Sequence, residues 1–126
     1  MIKVHYKNTL LGIKIDSIDN GSNPITEDGE FIQAVTLKHP SGTYLKAHKH
    51  VPTKRVTQKL QECLVVVKGK VKLDLYDLND NLVKRLILYK GQAYISINSG
   101  IGVHMIKDSE IIEIKNGPFI EDKVLI

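Results

Sequence analysis

Two histidines one residue apart, His48 and His50, stand in the stretch LKAHKHVPTKRVTQKLQECLVVVKG, residues 45–69 of a 126-residue chain that holds five histidines. On a β-strand, residues i and i+2 share a face, so this spacing predicts two imidazoles side by side, with Tyr44 and Lys46 on the same face. Imidazoles placed in this way can both reach one metal ion at about 2.0–2.2 Å. Glu62 opens the next apolar run and offers an oxygen ligand, and His104, within GIGVHMI, offers a third imidazole in strand-like surroundings. Three imidazoles and a carboxylate leave open positions on a six-coordinate ion, which suits one divalent transition metal: iron, manganese, nickel or zinc. A lone H-x-H pair is more often decoration of a strand than a ligand set, so the pattern around it has to decide.

Other groups are placed by the same parity. Arg55 lies in the segment that follows the histidine pair, one of only two arginines against sixteen lysines. Its guanidinium can fork onto a carboxylate or phosphate, or stand as an exposed loop charge. Tyr94 and Ser96 precede the His104 segment and either line a pocket or serve as barrel residues. Glu113 and Lys115 share one strand face, as an outward ion pair or as ligand contacts. Gln58 and Gln61 are alternatives to Glu62. Cys63 falls on the face opposite Glu62 and reads as a buried small apolar residue. His5 and His39 have no partner at ligand spacing.

These residues must be carried by strands. VKLDLYD (71–77), LVKRLILY (82–89) and EIIEIK (110–115) alternate apolar and polar residues and are rich in Val, Ile, Leu and Tyr. Turn signals separate such runs at short intervals: DNGSNP, HPSG, KGK, DLNDN, YKG, NSG and NGP. Many short strands with regular turns predict an all-β sandwich or barrel, and the length fits one domain. The best helical segment, within TKRVTQKL (53–60), amounts to a turn. The net charge of +4 comes from lysines spread along the chain with no arginine block, which reads as a solvated surface and not a nucleic-acid face. A single cysteine excludes an intramolecular disulfide and allows a reducing compartment. No apolar run has the roughly 18 residues of a membrane span and the first residues have no signal-peptide pattern, so the expected location is the cytoplasm.

The glycines around the histidine pair carry a resemblance. Gly42, TYLKA, then His48-Lys49-His50, followed later by Glu62, CLVVVK and Gly69, resembles the first motif of the cupin superfamily. Gly91, leading through QAYISINSGIGV to His104 with Asp108 beyond, is similar to the second. The resemblance covers about residues 40–108. It departs from the family pattern in the eleven-residue spacer VPTKRVTQKLQ, far longer than the motif's own, and in a longer second motif without its proline. It implies a double-stranded β-helix, or jelly-roll barrel, over the single domain 1–126, with N-terminal strands in 1–39, the barrel motifs in 40–108 and a C-terminal strand and tail in 109–126. It also implies His48, His50, Glu62 and His104 as metal ligands, the spacer as a loop at the barrel mouth, and Tyr44, Lys46, Arg55 and Tyr94 beside a small ligand. The second half of the chain looks like small single-domain cupins associated with bacterial surface-polysaccharide and nucleotide-sugar pathways. That likeness implies a sugar or nucleotide-sugar ligand and a homodimer. Three functions follow as expectations: an isomerase or epimerase moving a proton on a hydroxy-carbonyl compound, a non-catalytic ligand-binding module, and an Fe(II)-dependent oxygenase. Some cupin-fold ketoisomerases are thought to work without metal.

Overall fold

Alternating runs become ten strands, which a computed structural model describes over all 126 residues, Met1–Ile126. They are β1 (Ile2–Tyr6), β2 (Thr9–Ile15), β3 (Gly21–Pro24), β4 (Val35–Lys38), β5 (Glu62–Lys68), β6 (Lys70–Tyr76), β7 (Leu82–Tyr89), β8 (Ala93–Ser96), β9 (Gly100–Met105) and β10 (Glu110–Lys115). The fold is all-β, as its turn spacing predicts, and no helix is long and apolar enough to cross a membrane. Every strand pair is antiparallel. The larger sheet has the order β1-β2-β8-β5-β10 and the smaller the order β7-β6-β9, while β3 and β4 form a ribbon. No sheet closes into a barrel.

Alternation explains the packing. Leu64 and Val66 of β5, with Val4, Leu11 and Tyr94, meet Val71, Leu73 and Leu75 of β6 and Leu88 of β7. The two sheets therefore lie face to face, and each fully buried aliphatic side chain between them contributes about 1.5–3 kcal/mol. The opposite face of the larger sheet carries Ile13, Ile15, Cys63 and Ile95, covered by Ile32, Ile25 and Ala34 from the segment joining β3 to β4. That cover is fastened by Gln61, which is 1% exposed. Its Oε1 accepts the Ile32 amide at 2.9 Å and its Nε2 donates to Glu30 at 2.6 Å. With both faces of the sheet covered, β8 is buried at all four positions and shows no alternation.

From β5 onward the chain passes back and forth between the sheets, and two of the crossings turn on glycine. Gly69, at φ +92°, joins β5 of the larger sheet to β6 of the smaller, and Gly91, at φ +82°, returns β7 to β8. A Cβ at Gly69 would collide with Ser109 and the Asp108 carbonyl. This winding brings the start of β5, the end of β8, the end of β6 and the start of β9 to one end of the molecule. Glu62 is paired with Ser96 there, and Gly100 with Tyr76.

Residues 44–50 differ from expectation. They form no strand; the chain from Gly42 to Leu60 is irregular and exposed throughout. The stretch buries none of its large apolar side chains: Tyr44, Leu45, Val51, Val56 and Leu60 are all exposed. Its polar groups bond locally instead: His48 to the Lys46 carbonyl, Thr53 Oγ1 to the Val51 carbonyl and Arg55 to the Thr53 carbonyl, each two residues back. Pro40 and Pro52, which cannot donate to a ladder, flank it.

Candidate functional site

Glu62 begins β5 and shares its inward face with Leu64 and Val66, which places its half-buried carboxyl at the edge of the core. β10 runs antiparallel beside β5 and sets Lys115 opposite Glu62 and Glu113 opposite Leu64, on the same face. The Glu62 and Glu113 carboxyls face each other closely enough to share a hydrogen bond, which forms only when one of the two holds a proton. Burial, then that hydrogen bond and the Glu113 charge, push the half-buried Glu62 up to about 7. Glu113 shifts the other way: the hydrogen bond from Glu62 holds its carboxyl below the ordinary range, helped by Lys115 and Lys123. Lys115 Nζ stands 3.5 Å from Glu113 Oε1, an ion pair as expected of their shared strand face, but on the face of Glu62 and Leu64 and not the outward one.

Behind the carboxyls is a hydroxyl cluster. Tyr94 is fully buried, and burial pushes its phenol up to about 12 despite a 2.9 Å hydrogen bond with Ser99 Oγ. Ser96 Oγ donates to the Ser99 carbonyl at 2.7 Å. Gly12 allows this packing, since a Cβ there would strike the Tyr94 hydroxyl. At the C-terminus, Lys123 acts electrostatically on both carboxyls, and a Cβ at Gly100 would meet Ile126 at 2.6 Å.

His104 is in β9, opposite Lys72 and next to the Asp74–Gly102 pair, on the face of the smaller sheet turned away from Leu73 and the core. Its Nε2 meets Asp74 Oδ2 at 2.6 Å, and Arg85 Nε donates to Asp74 Oδ1 at 2.9 Å. The His104 hydrogen bond, then the Arg85 one, hold the Asp74 carboxyl below its ordinary range. Asp74 was not singled out from the sequence. The signal was present: folding KVKLDLY and LVKRLILY about the turn DLNDN sets Asp74 opposite Arg85.

The remaining predicted residues lie in the exposed segment before β5. His48 and His50 are adjacent, with ring centroids 5.2 Å apart and planes at 78°. With its proton on Nδ1, His48 donates to the Lys46 carbonyl at 3.0 Å and leaves Nε2 free. Tyr44, Lys46 and Arg55 are exposed, and the Tyr44 hydroxyl accepts the Ala47 amide at 3.3 Å. The structure thus keeps the histidine pair together but does not bring Glu62 or His104 to it. No three His, Cys, Asp or Glu side chains meet at one point. The four predicted ligands do not fit one ion in this arrangement, because Glu62 is engaged by Glu113 and His104 by Asp74. Gln61 is committed to the covering segment, Cys63 is buried with its thiol pushed up by that burial, and His39 pairs with Ser22.

No protein-family model, no curated protein and no solved structure matches the chain.

Proposed function

We propose that the chain is a cupin-like jelly roll that moves a proton on a small hydroxy-carbonyl compound, a sugar or nucleotide-sugar, with Glu62 as the acid–base group. The jelly-roll reading draws support from strands that wind alternately between two face-to-face antiparallel sheets. The chemical reading rests on two carboxyls, Glu62 and Glu113, that the β5–β10 register sets side by side on the inner face, where burial and the Glu113 charge raise the half-buried Glu62 to about 7. A carboxyl poised near neutrality is present in both forms and can both take and return a proton. Ionised Glu62 removes the proton from the carbon next to the carbonyl, the electron pair passes to the carbonyl oxygen, and an enediolate results. Protonated Glu62, its proton exchanged with solvent, then delivers a proton to the former carbonyl carbon, while the hydroxyl proton on the adjacent carbon passes to the former carbonyl oxygen. Glu113 keeps the negative charge that holds the Glu62 proton, and Lys115 is the cation nearest the developing oxyanion.

The test is solvent exchange. A panel of aldoses, ketoses and nucleotide-sugars in D2O should take up deuterium next to the carbonyl, and Glu62→Gln should slow this by about 10²–10⁴-fold. Absence of exchange across the panel, or exchange unchanged in Glu62→Gln, would overturn the assignment. Adjacency of His48 and His50 favours a second reading, in which the pair anchors one divalent transition metal ion (zinc, nickel, iron or manganese). The same assay with chelator, with each added metal and with a His48→Ala, His50→Ala variant decides it. Loss of exchange on chelation and in the double variant supports the ion, and indifference to both excludes a role for it.

A further inference from the structure

Two tight turns meet at the β1–β2 side of the same end of the molecule. Lys7 and Asn8, at φ +47° and +64°, form the two-residue turn between β1 and β2. Asp77–Asn81 forms the turn between β6 and β7, held by Asp77, whose Oδ1 accepts the Asn79 and Asn81 amides at 2.9 Å each. Between the two turns lies a cleft of about 160 Å³ lined by Tyr6, Lys7, Thr9, Asp77, Asn79 and Asn81. This is below the roughly 300–1,000 Å³ of clefts that take drug-sized ligands, and so suits a single small ring.

The lining specifies the ring. Tyr6 lines the cleft wall, with the Lys7 ammonium over one face of its ring, 5.4 Å from the centroid. Leu78, 74% exposed, adds apolar surface at the rim. Around them are a hydroxyl from Thr9, a carboxamide from Asn79 and the carbonyl oxygen of Asn81, whose Nδ2 already donates to Asp77. Donors and acceptors therefore stand together with apolar surface in the one cleft. Charge is balanced: Asp77 is held below its ordinary pKa by the Asn81 and Asn79 amides, and Lys7 faces it. An ionised carboxylate at the wall disfavours an anion, and the Lys7 ammonium disfavours a cation. A neutral, polyhydroxylated ring with one apolar face satisfies all of these groups at once.

We infer that this cleft is a binding site for a neutral pyranose ring, separate from the Glu62–Glu113 pair. The test is an amide ¹H–¹⁵N NMR titration of the whole chain with the methyl glycosides of glucose, galactose, mannose and N-acetylglucosamine, each to roughly 100 mM, a range that captures millimolar affinity. At least one glycoside should shift the Tyr6, Lys7, Asn79 and Asn81 amides saturably. Tyr6→Ala and Asn79→Ala should each weaken that binding at least about fivefold while keeping a dispersed spectrum, and Tyr6→Phe should retain it. Methyl glucuronide should bind about two- to threefold more weakly than methyl glucoside. Glu62→Gln should bind as the parent chain does, so that loss of proton transfer and loss of sugar binding are told apart. No saturable shift with any glycoside, shifts confined to other residues, unchanged binding in Tyr6→Ala, or tighter binding of the glucuronide would overturn the assignment.

Discussion

Glu62 is subject to opposed influences whose balance sets its chemistry. Burial and Glu113 favour its proton, Lys115 and Lys123 oppose it, and the first two win, raising it from an ordinary 4.5 to about 7. The folded chain therefore holds a proton that the unfolded chain releases, so Glu62 makes stability fall as pH rises from about 4.5 to about 7, with no further loss above. Glu113 has the opposite sign: its lowered carboxyl contributes stability at neutral pH that is lost as acid protonates it. Between about pH 5 and about pH 8 the Glu62 contribution falls while that of Glu113 is already complete, and discounting for its exposure leaves a Glu62 loss of ~1–2 kcal/mol. Urea unfolding should show the parent chain losing that much across this window and Glu62→Gln losing none. A parent chain equally stable at both pH values would contradict the assignment.

At the scale of elements, the crossings between sheets are the critical features. Gly69 needs both a left-handed backbone and an empty Cβ position, because Ser109 and the Asp108 carbonyl fill the space beside it. Gly91 needs only the backbone, as nothing lies near its Cβ position. Gly69→Ala should cost ~2–4 kcal/mol from strain plus overpacking, and Gly91→Ala ~1 kcal/mol from strain alone. Equal costs in chemical denaturation would show that the packing at Gly69 is not as described. Strands with one covered face were legible in the sequence: LVKRLILY coincides with β7 and EIIEIK with β10. β8 was not, because a strand covered on both faces has no period to read. TYLKAHKH did alternate, but its Tyr44 and Leu45 stay exposed and no strand pairs with the segment.

On the scale of the whole molecule, composition and turn spacing were enough to predict an all-β fold, and they left open what would meet at the ends of its sheets. Glu62 was legible as the polar head of an apolar run. Its pairing with Glu113 was not, since that contact depends on β10 folding back along β5 after four intervening strands. For the same reason His104 could be placed on a strand, but its facing Asp74 on the outer side of the smaller sheet depends on the β6–β9 register. The end where β5, β6, β8 and β9 converge is where we propose proton transfer, and the proposal turns on a proton shared by Glu62 and Glu113. Side-chain ¹³C-carboxyl NMR of Glu62 across pH tests that most directly. The account predicts an apparent midpoint near 7 that falls toward the ordinary glutamate value in Glu113→Gln. A Glu62 midpoint already at an ordinary 4.5 in the intact chain would contradict it.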